Sequence, residues 1–307
     1  MTTTSPESPL IRPPSEWRSL LVRVTRGCKW NRCRFCGIYP ALGEAGFSVR
    51  SVAEVKGDID QLAAMRPRAK TAFFGDADPL AAGLDRIAEL ARYLRRRVTT
   101  IERLTCYARA STLARLPRGG IRHLAAAGLD RVHLGLESGD PETLRFHRKG
   151  QSPAMIREVA ARLRRAQIEV SMYVLLGLGG RDRWRRHIEA TAGLLNETIP
   201  DFIRLRRLWL YGAEVGGGGT ECPLRQQVRS GEFLPQTPEG TVLEVKLLLE
   251  NLDGINSFLA CDHANNYVNV SGRLQSDRAE MLATVNDFLA RPEEERRAHY
   301  QAVGSGI

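Results

Sequence analysis

The sequence predicts a parallel α/β fold, either an open doubly wound sheet or an incomplete (βα) barrel. Three observations lead there. Short apolar runs of β type alternate with amphipathic stretches at helical spacing. Right-handed crossovers between such runs make the strands parallel and put the helices outside. The polar and glycine-rich words fall directly after the apolar runs, at the carboxyl ends of the strands, where folds of this kind carry their chemistry.

In chain order the predicted strands are "SLLVRV" (19–24), "TAFFG" (71–75), "RLTCY" (103–107), "RVHLGL" (131–136), "EVSMYVLLG" (169–177) and "DFIRLRRLWL" (201–210). The predicted helices between them are 51–65, 83–96, 112–128, 153–167 and 185–197. The cysteine-bearing loop follows the first strand, "GDADP" the second, "YARA" the third, "ESGD" the fourth and "GLGG" the fifth, so these words converge on one rim.

Composition sets the outer limits. With 307 residues, 43% hydrophobic content and mean hydropathy −0.28, the chain can bury a full core. No apolar run reaches the length of a membrane span, and the start "MTTTSPESPLIRPPSEW" has no secretory pattern, so a cytoplasmic location is expected. In that setting close-spaced thiols serve metal or chemistry more often than a disulfide framework. The net charge of +10 admits nucleic acid, a membrane surface or an acidic small molecule as partner, without choosing among them. All but five of the 45 basic residues are arginine, and the densest runs, 92–97 and 162–167, lie on predicted helices as solvated faces or phosphate-binding ones.

The most specific word is "TRGCKWNRCRFCGIYP" (25–40), which spaces Cys28, Cys33 and Cys36 as C-x4-C-x2-C. Three thiolates can ligate three irons of a [4Fe–4S] cube and leave the fourth open, or fill three zinc positions with one distant ligand. Zinc ribbons bring a second close pair. Here Cys106, Cys222 and Cys261 stand apart from one another, which favours the iron–sulfur reading.

With these words in this order the chain resembles the radical SAM superfamily, in the branch of oxygen-independent coproporphyrinogen dehydrogenase and the elongator-type catalytic subunit. The resemblance runs from about Leu20 to Leu210 and continues into a tail with "SGEF" (230–233), "LLLENLD" (247–253) and "DHANNY" (262–267). The commonest superfamily spacing is C-x3-C-x2-C, and this chain has one residue more. The resemblance implies a partial (βα)6 TIM-like barrel: an N-terminal arm over 1–18, the core over 19–210, and a helical and loop extension over 211–307 covering the barrel mouth.

It also implies cofactors, a [4Fe–4S] cluster and S-adenosylmethionine (SAM), and an external one-electron donor such as flavodoxin or ferredoxin. Cys28, Cys33 and Cys36 correspond to the cluster ligands. Phe35 matches an aromatic packed on adenine, or closes the loop as a hydrophobe. Gly75 sits in the word that holds the SAM amino group, where Asp76 and Asp78 add carboxylate acceptors unless Asp78 caps the next helix. Glu137 matches the residue that bonds the ribose hydroxyls. Lys149 stands where a relative uses Arg against the SAM carboxylate, with Arg148 competing for the role and a simple salt bridge the alternative. Tyr107, Arg109 and Tyr173 fall at further SAM-lining positions, and backbone groups of Leu175 and Gly177 match the adenine-reading stretch.

The substrate is the least legible part. Arg204 and Arg206 alternate with Ile203 and Leu205 and so share one face of the sixth strand. If that face is the barrel interior, two guanidiniums call for an anionic substrate; if it faces outward, they form salt bridges. Asp262 and His263 in "CDHANNY" are further substrate candidates, or members of a hydrogen-bonded turn. The glycine-rich loop 211–223 is expected to cover the same opening. No RNA-binding or cobalamin-binding module is evident beside the core, so a small anionic substrate is preferred over nucleic acid. A non-catalytic iron–sulfur carrier on the same scaffold is the alternative of a different class, but a carrier needs no SAM pocket.

Overall fold

The computed structural model describes residues 5–9, 11–44, 46–210 and 221–304. Its strands are β1 (Leu20–Arg23), β2 (Thr25–Arg26), β3 (Ser48–Val49), β4 (Thr71–Gly75), β5 (Arg103–Ala108), β6 (Arg131–Glu137), β7 (Glu169–Leu176), β8 (Phe202–Arg207), β9 (Phe258–Cys261) and β10 (Val270–Arg273). β2 and β3 form a small antiparallel pair. The other eight make one sheet in the order β1-β4-β5-β6-β7-β8-β9-β10. From β1 to β9 every neighbouring pair is parallel, and β10 closes the series antiparallel to β9. This is the expected α/β architecture of a partial barrel. The extension, expected as helices and loops, also supplies β9 and β10 to the same sheet.

The helices are α1 (Ile38–Ala41), α2 (Val52–Met65), α3 (Leu84–Arg97), α4 (Ala110–Ala114), α5 (Gly120–Ala126), α6 (Pro141–Phe146), α7 (Pro153–Arg165), α8 (Gly180–Thr198), α9 (Leu224–Arg229), α10 (Pro238–Asn251), α11 (Leu274–Ala290) and α12 (Glu293–Gly304). Local chemistry sets several starts. Ser51 and Glu54 form a reciprocal capping box on α2. Ser152 and Thr237 cap α7 and α10, each followed by a proline whose missing N–H is no loss at that position. The single helix expected over 112–128 is instead two, because Pro117 cannot continue the hydrogen-bond ladder and Gly119 turns at φ +85°.

The register assigns the two faces of the sheet. Val22, Phe74, Cys106, Leu134, Val174 and Leu205 point outward into the apolar layer under the helices and are fully buried there. The alternate positions line the interior with a different chemistry: Phe73, Tyr107, His133 and Tyr173 form a chain of rings with neighbouring centroids 5.2, 6.0 and 6.1 Å apart. At the amino ends of the strands, the N-terminal turn Pro14–Glu16 inserts a carboxylate. The His133 imidazole lies 3.3 Å from Glu16 Oε1, and Ser19 Oγ donates to Glu16 Oε2 at 2.6 Å. Burial lowers the His133 pKa and Glu16 opposes it.

Candidate functional site

The predicted residues gather at the carboxyl ends of the strands, and the cysteine loop is their lid. Its three thiols are partly exposed and lie close enough to perturb one another. The turn is closed by the Cys36 amide donating to Cys33 O at 3.1 Å. Two bonds sew the loop onto the segment after α6: the Trp30 indole donates to Arg148 O at 2.7 Å, and the Arg34 amide donates to His147 O at 3.0 Å. Burial pushes the Cys36 thiol up to about 12 and raises Cys33 as well, with Lys149 and Arg109 pulling Cys33 back. Thiols with pKa values raised in this way ionise when a metal supplies the balancing charge. Among the described residues no three His, Cys, Asp or Glu side chains converge tightly enough for a single ion.

Lys149 and Glu137 form an ion pair beneath the loop, Nζ to Oε1 at 2.7 Å, with side chains 10% and 13% exposed. The local fold builds this contact. β6 shifts register between Gly135 and Glu137, and Glu137 takes a left-handed φ of +63° that aims its carboxylate back over Gly135. A Cβ at Gly135 would stand 2.3 Å from that carboxylate and 2.8 Å from the ammonium, so any side chain there would push the pair out of this position. Burial works against the Lys149 charge, but Glu137 and Cys33 hold its pKa above the ordinary value. Arg109 completes the group: its guanidinium donates to Lys149 O at 2.6 Å and lies 4.6 Å from the Trp30 ring centre. Phe35 is half-buried, 5.9 Å from Lys149 Nζ and 5.7 Å from the His147 ring.

The carboxylates after β4 are committed inside the protein. Asp76 is fully buried against Arg23, Oδ2 to Nη2 at 2.7 Å. Asp78 does not cap the following helical turn. It accepts from Thr112 Oγ1 at 2.5 Å instead, and burial raises its carboxyl to about 6. Gly75 lies against the N-terminal arm, where a Cβ would stand 2.5 Å from Pro9.

The backbone expected to read adenine is also engaged. Gly177 donates to Glu244 Oε2 at 2.6 Å and accepts from Gly180 at 3.0 Å, while the Leu175 carbonyl lies 3.2 Å from His187 Nε2. Glu244 on α10 was not visible as a site residue. The only signal is a lone acid in the apolar stretch "TVLEVKLLL", and it is fully buried with its carboxyl pushed up to about 8. Trp30 was equally silent, although it lies within the cysteine word.

Arg204 and Arg206 point inward, beside Tyr173. Arg204 is 8% exposed and donates to Ser171 Oγ at 3.2 Å; among the described residues it has no carboxylate within 4 Å. Burial lowers its pKa from the ordinary arginine value. Arg206 lies 5.4 Å from the Tyr173 ring centre and 3.7 Å from Asp262, with Nη2 unpaired. The Tyr173 hydroxyl and Thr105 Oγ1 are likewise buried without a partner. His263 is not brought to this group by a bond: it pairs with Asn265 in its own turn at 2.6 Å. Asn266 of that turn ties down the end of β8, its side chain bonded to Arg207 N and Leu205 O, each at 3.0 Å. Of the loop 211–223, positions 211–220 lie outside the described residues. Two of the three remaining cysteines hold no ligand role here: Cys106 is buried in the outer layer and Cys261 bonds Val268 O at 3.3 Å.

Residues 22–192 match the family model described as Radical SAM superfamily. No curated protein matches the chain by sequence. Among solved structures it is similar to the radical S-adenosylmethionine methyltransferase TsrM from Kitasatospora setae, at 18% identity and TM-score 0.50, covering 64% of this chain and 38% of that one. It is similar to archaeal Elp3 from Methanocaldococcus infernus, at 15% identity and TM-score 0.50, covering 78% and 58%. It is also similar to coproporphyrinogen III oxidase, HemN, from Escherichia coli, at 15% identity and TM-score 0.50, covering 69% and 51%. At these identities the likeness is one of fold, and the chain spans well under half of TsrM.

Proposed function

Because this chain belongs to the radical SAM superfamily, we propose that Cys28, Cys33 and Cys36 each ligate one iron of its [4Fe–4S] cluster, and that the enzyme acts on a small anionic substrate held by Arg204 and Arg206. The residues fit the cluster. Three neighbouring thiols on one loop can each take a separate iron, and the cations of Lys149 and Arg109 offset their charge. When bound, the cluster and SAM together supply one-electron cleavage of the sulfonium to a 5′-deoxyadenosyl radical that abstracts hydrogen.

The chain's own residues do the rest. Lys149 and Glu137 are placed to take the charged and hydroxyl groups of SAM, exchanging their mutual pair for ligand contacts. Phe35 gives an apolar face to the base. Glu244 fixes the Gly177 turn, and the arm at Pro9 narrows access from the β4 side.

One observation carries the substrate assignment. Arg204 is buried and Arg206 half-buried on the interior face beside the unpartnered Tyr173 hydroxyl, and Arg204 lacks a carboxylate among the described residues. A buried guanidinium without an anion costs several kcal/mol. A substrate phosphate or carboxylate between the two arginines removes that cost and accepts from Tyr173.

The RNA reading has less support. Of the surface arginines it would use, Arg95 holds Asp130 and the Gly128 carbonyl, and Arg164 holds Thr198 O. The experiment is anaerobic incubation of the loaded enzyme with a cell extract and SAM deuterated at C5′, followed by a search for metabolites that gain deuterium or change mass. Anionic small molecules are expected; a response only from RNA, or only from neutral metabolites, rejects the assignment.

A further inference from the structure

Beside the interior pair, β8 ends in a further arginine. Arg207 lies two residues past Leu205 and therefore on the outer face of the sheet, opposite Arg206. Its backbone is fixed by the turn after β9: the Arg207 amide donates to Asn266 Oδ1 at 3.0 Å, and Asn265 Nδ2 donates to its carbonyl at 3.5 Å. Two rings flank the guanidinium, whose Cζ lies 4.3 Å from the centre of Tyr267 and 5.8 Å from that of Trp209. Nη1 donates to the Tyr267 hydroxyl. Nε and Nη2 are buried and have no partner, and the buried indole N–H of Trp209 has none either. Among the described residues no carboxylate lies within 4 Å of Arg207, whereas the neighbouring Arg206 has Asp262 at 3.7 Å.

We infer that Arg207 and Trp209 form a second oxyanion site, which takes the carboxylate or phosphate group of a ligand bound outside the barrel. Nε and Nη2 are the side-on edge of the guanidinium, two parallel N–H groups that match two oxygens of a carboxylate or phosphate. The bond from Nη1 to Tyr267 pins the rotation of the group and leaves this edge free. Buried donors in folded proteins are almost always bonded, so three orphans on two neighbouring side chains call for an acceptor. A single water accepts two bonds and brings no charge; an oxyanion accepts all three and balances the guanidinium. Both Arg207 and Trp209 are half-buried, so the site borders solvent and is reached without entering the barrel. The inference is independent of what Arg204 and Arg206 hold, because those side chains lie on the other face of β8.

The test is calorimetric titration of the full chain with inorganic phosphate and, separately, with acetate, at an ionic strength held constant by chloride. The proteins compared are the wild type, Arg207→Met, Arg207→Lys, Trp209→Phe and Arg206→Met, each checked for native fold by circular dichroism. The wild type should show a saturable binding event for at least one anion, and the preferred anion tells a phosphate ligand from a carboxylate one. That event should be lost in Arg207→Met and kept in Arg206→Met. Arg207→Lys keeps the charge but loses the fork, and should bind about tenfold more weakly. Trp209→Phe keeps a ring but loses the third donor, and should also weaken binding, so the inference stays testable if Arg207→Met does not fold. No saturable binding of either anion by the wild type overturns the site. So does binding unchanged in Arg207→Lys and Trp209→Phe, or a loss seen only in Arg206→Met, which would place the anion inside the barrel.

Discussion

Lys149 Nζ lies 2.7 Å from Glu137 Oε1 in a niche that glycine at position 135 keeps open. Two residues that the sequence assigns separately, one to the SAM carboxylate and one to its ribose, are therefore each other's partner before any ligand arrives. The pair holds the two side chains aimed at one point, at the cost of an exchange when SAM binds.

Replacing one partner should therefore separate affinity from iron content. Glu137→Gln should weaken SAM binding about tenfold, the loss of one charge-assisted bond, and leave iron per chain unchanged. Lys149→Met should do the same and also destabilise the fold by about 2 kcal/mol, because it strands a largely buried carboxylate. Equilibrium binding of SAM to the oxidised cluster form, with denaturant unfolding alongside, checks both.

Arg206 should govern substrate rather than SAM. Arg206→Met should raise the KM for the responsive anion at least tenfold while leaving cluster content and uncoupled SAM cleavage at wild-type levels. Arg204→Met should behave alike, since it shares the interior face of β8. Full activity in both variants would return the two arginines to a structural role.

The buried Glu244 carboxyl, pushed up to about 8 by burial, makes a pH signature. In the unfolded chain it ionises near pH 4.3, so between about 4 and 8 the folded state holds a proton that the unfolded state has released. Its contribution to stability is full below about pH 4, falls as pH rises toward 8, and is level above. Glu244→Gln removes that fall. Urea unfolding at pH 6 and pH 9 should show a smaller loss of stability on alkalinisation in the variant than in the wild type, and equal losses would refute the assignment.

The strand and helix alternation was legible because each run keeps its period, and the order of polar words located the rim. β9 and β10 were not, being four residues long, with Gly272 and exposed Ser271 and Arg273 in the second. Position 112–128 read as one helix because its apolar spacing continues across Pro117, where the backbone breaks. In the site, the cysteine spacing and the strand-end acid are local signals. The Glu244–Gly177 bond joins residues 67 apart and leaves no trace in either neighbourhood. The same holds for Asp76, whose local word offers it to a ligand but whose fold commits it to Arg23, 53 residues away.

The most direct measurement is iron, sulfide and zinc analysis of anaerobically purified chain, coupled to product analysis after dithionite reduction with SAM. The account predicts about four irons and four sulfides per chain, SAM-dependent change in the spectrum of the reduced cluster, and release of 5′-deoxyadenosine. It further predicts loss of the iron when Cys28, Cys33 or Cys36 is changed to Ala, but not when Cys106 is. One zinc per chain with no iron, or a reduced cluster that leaves SAM intact and its own spectrum unchanged by SAM, would contradict it.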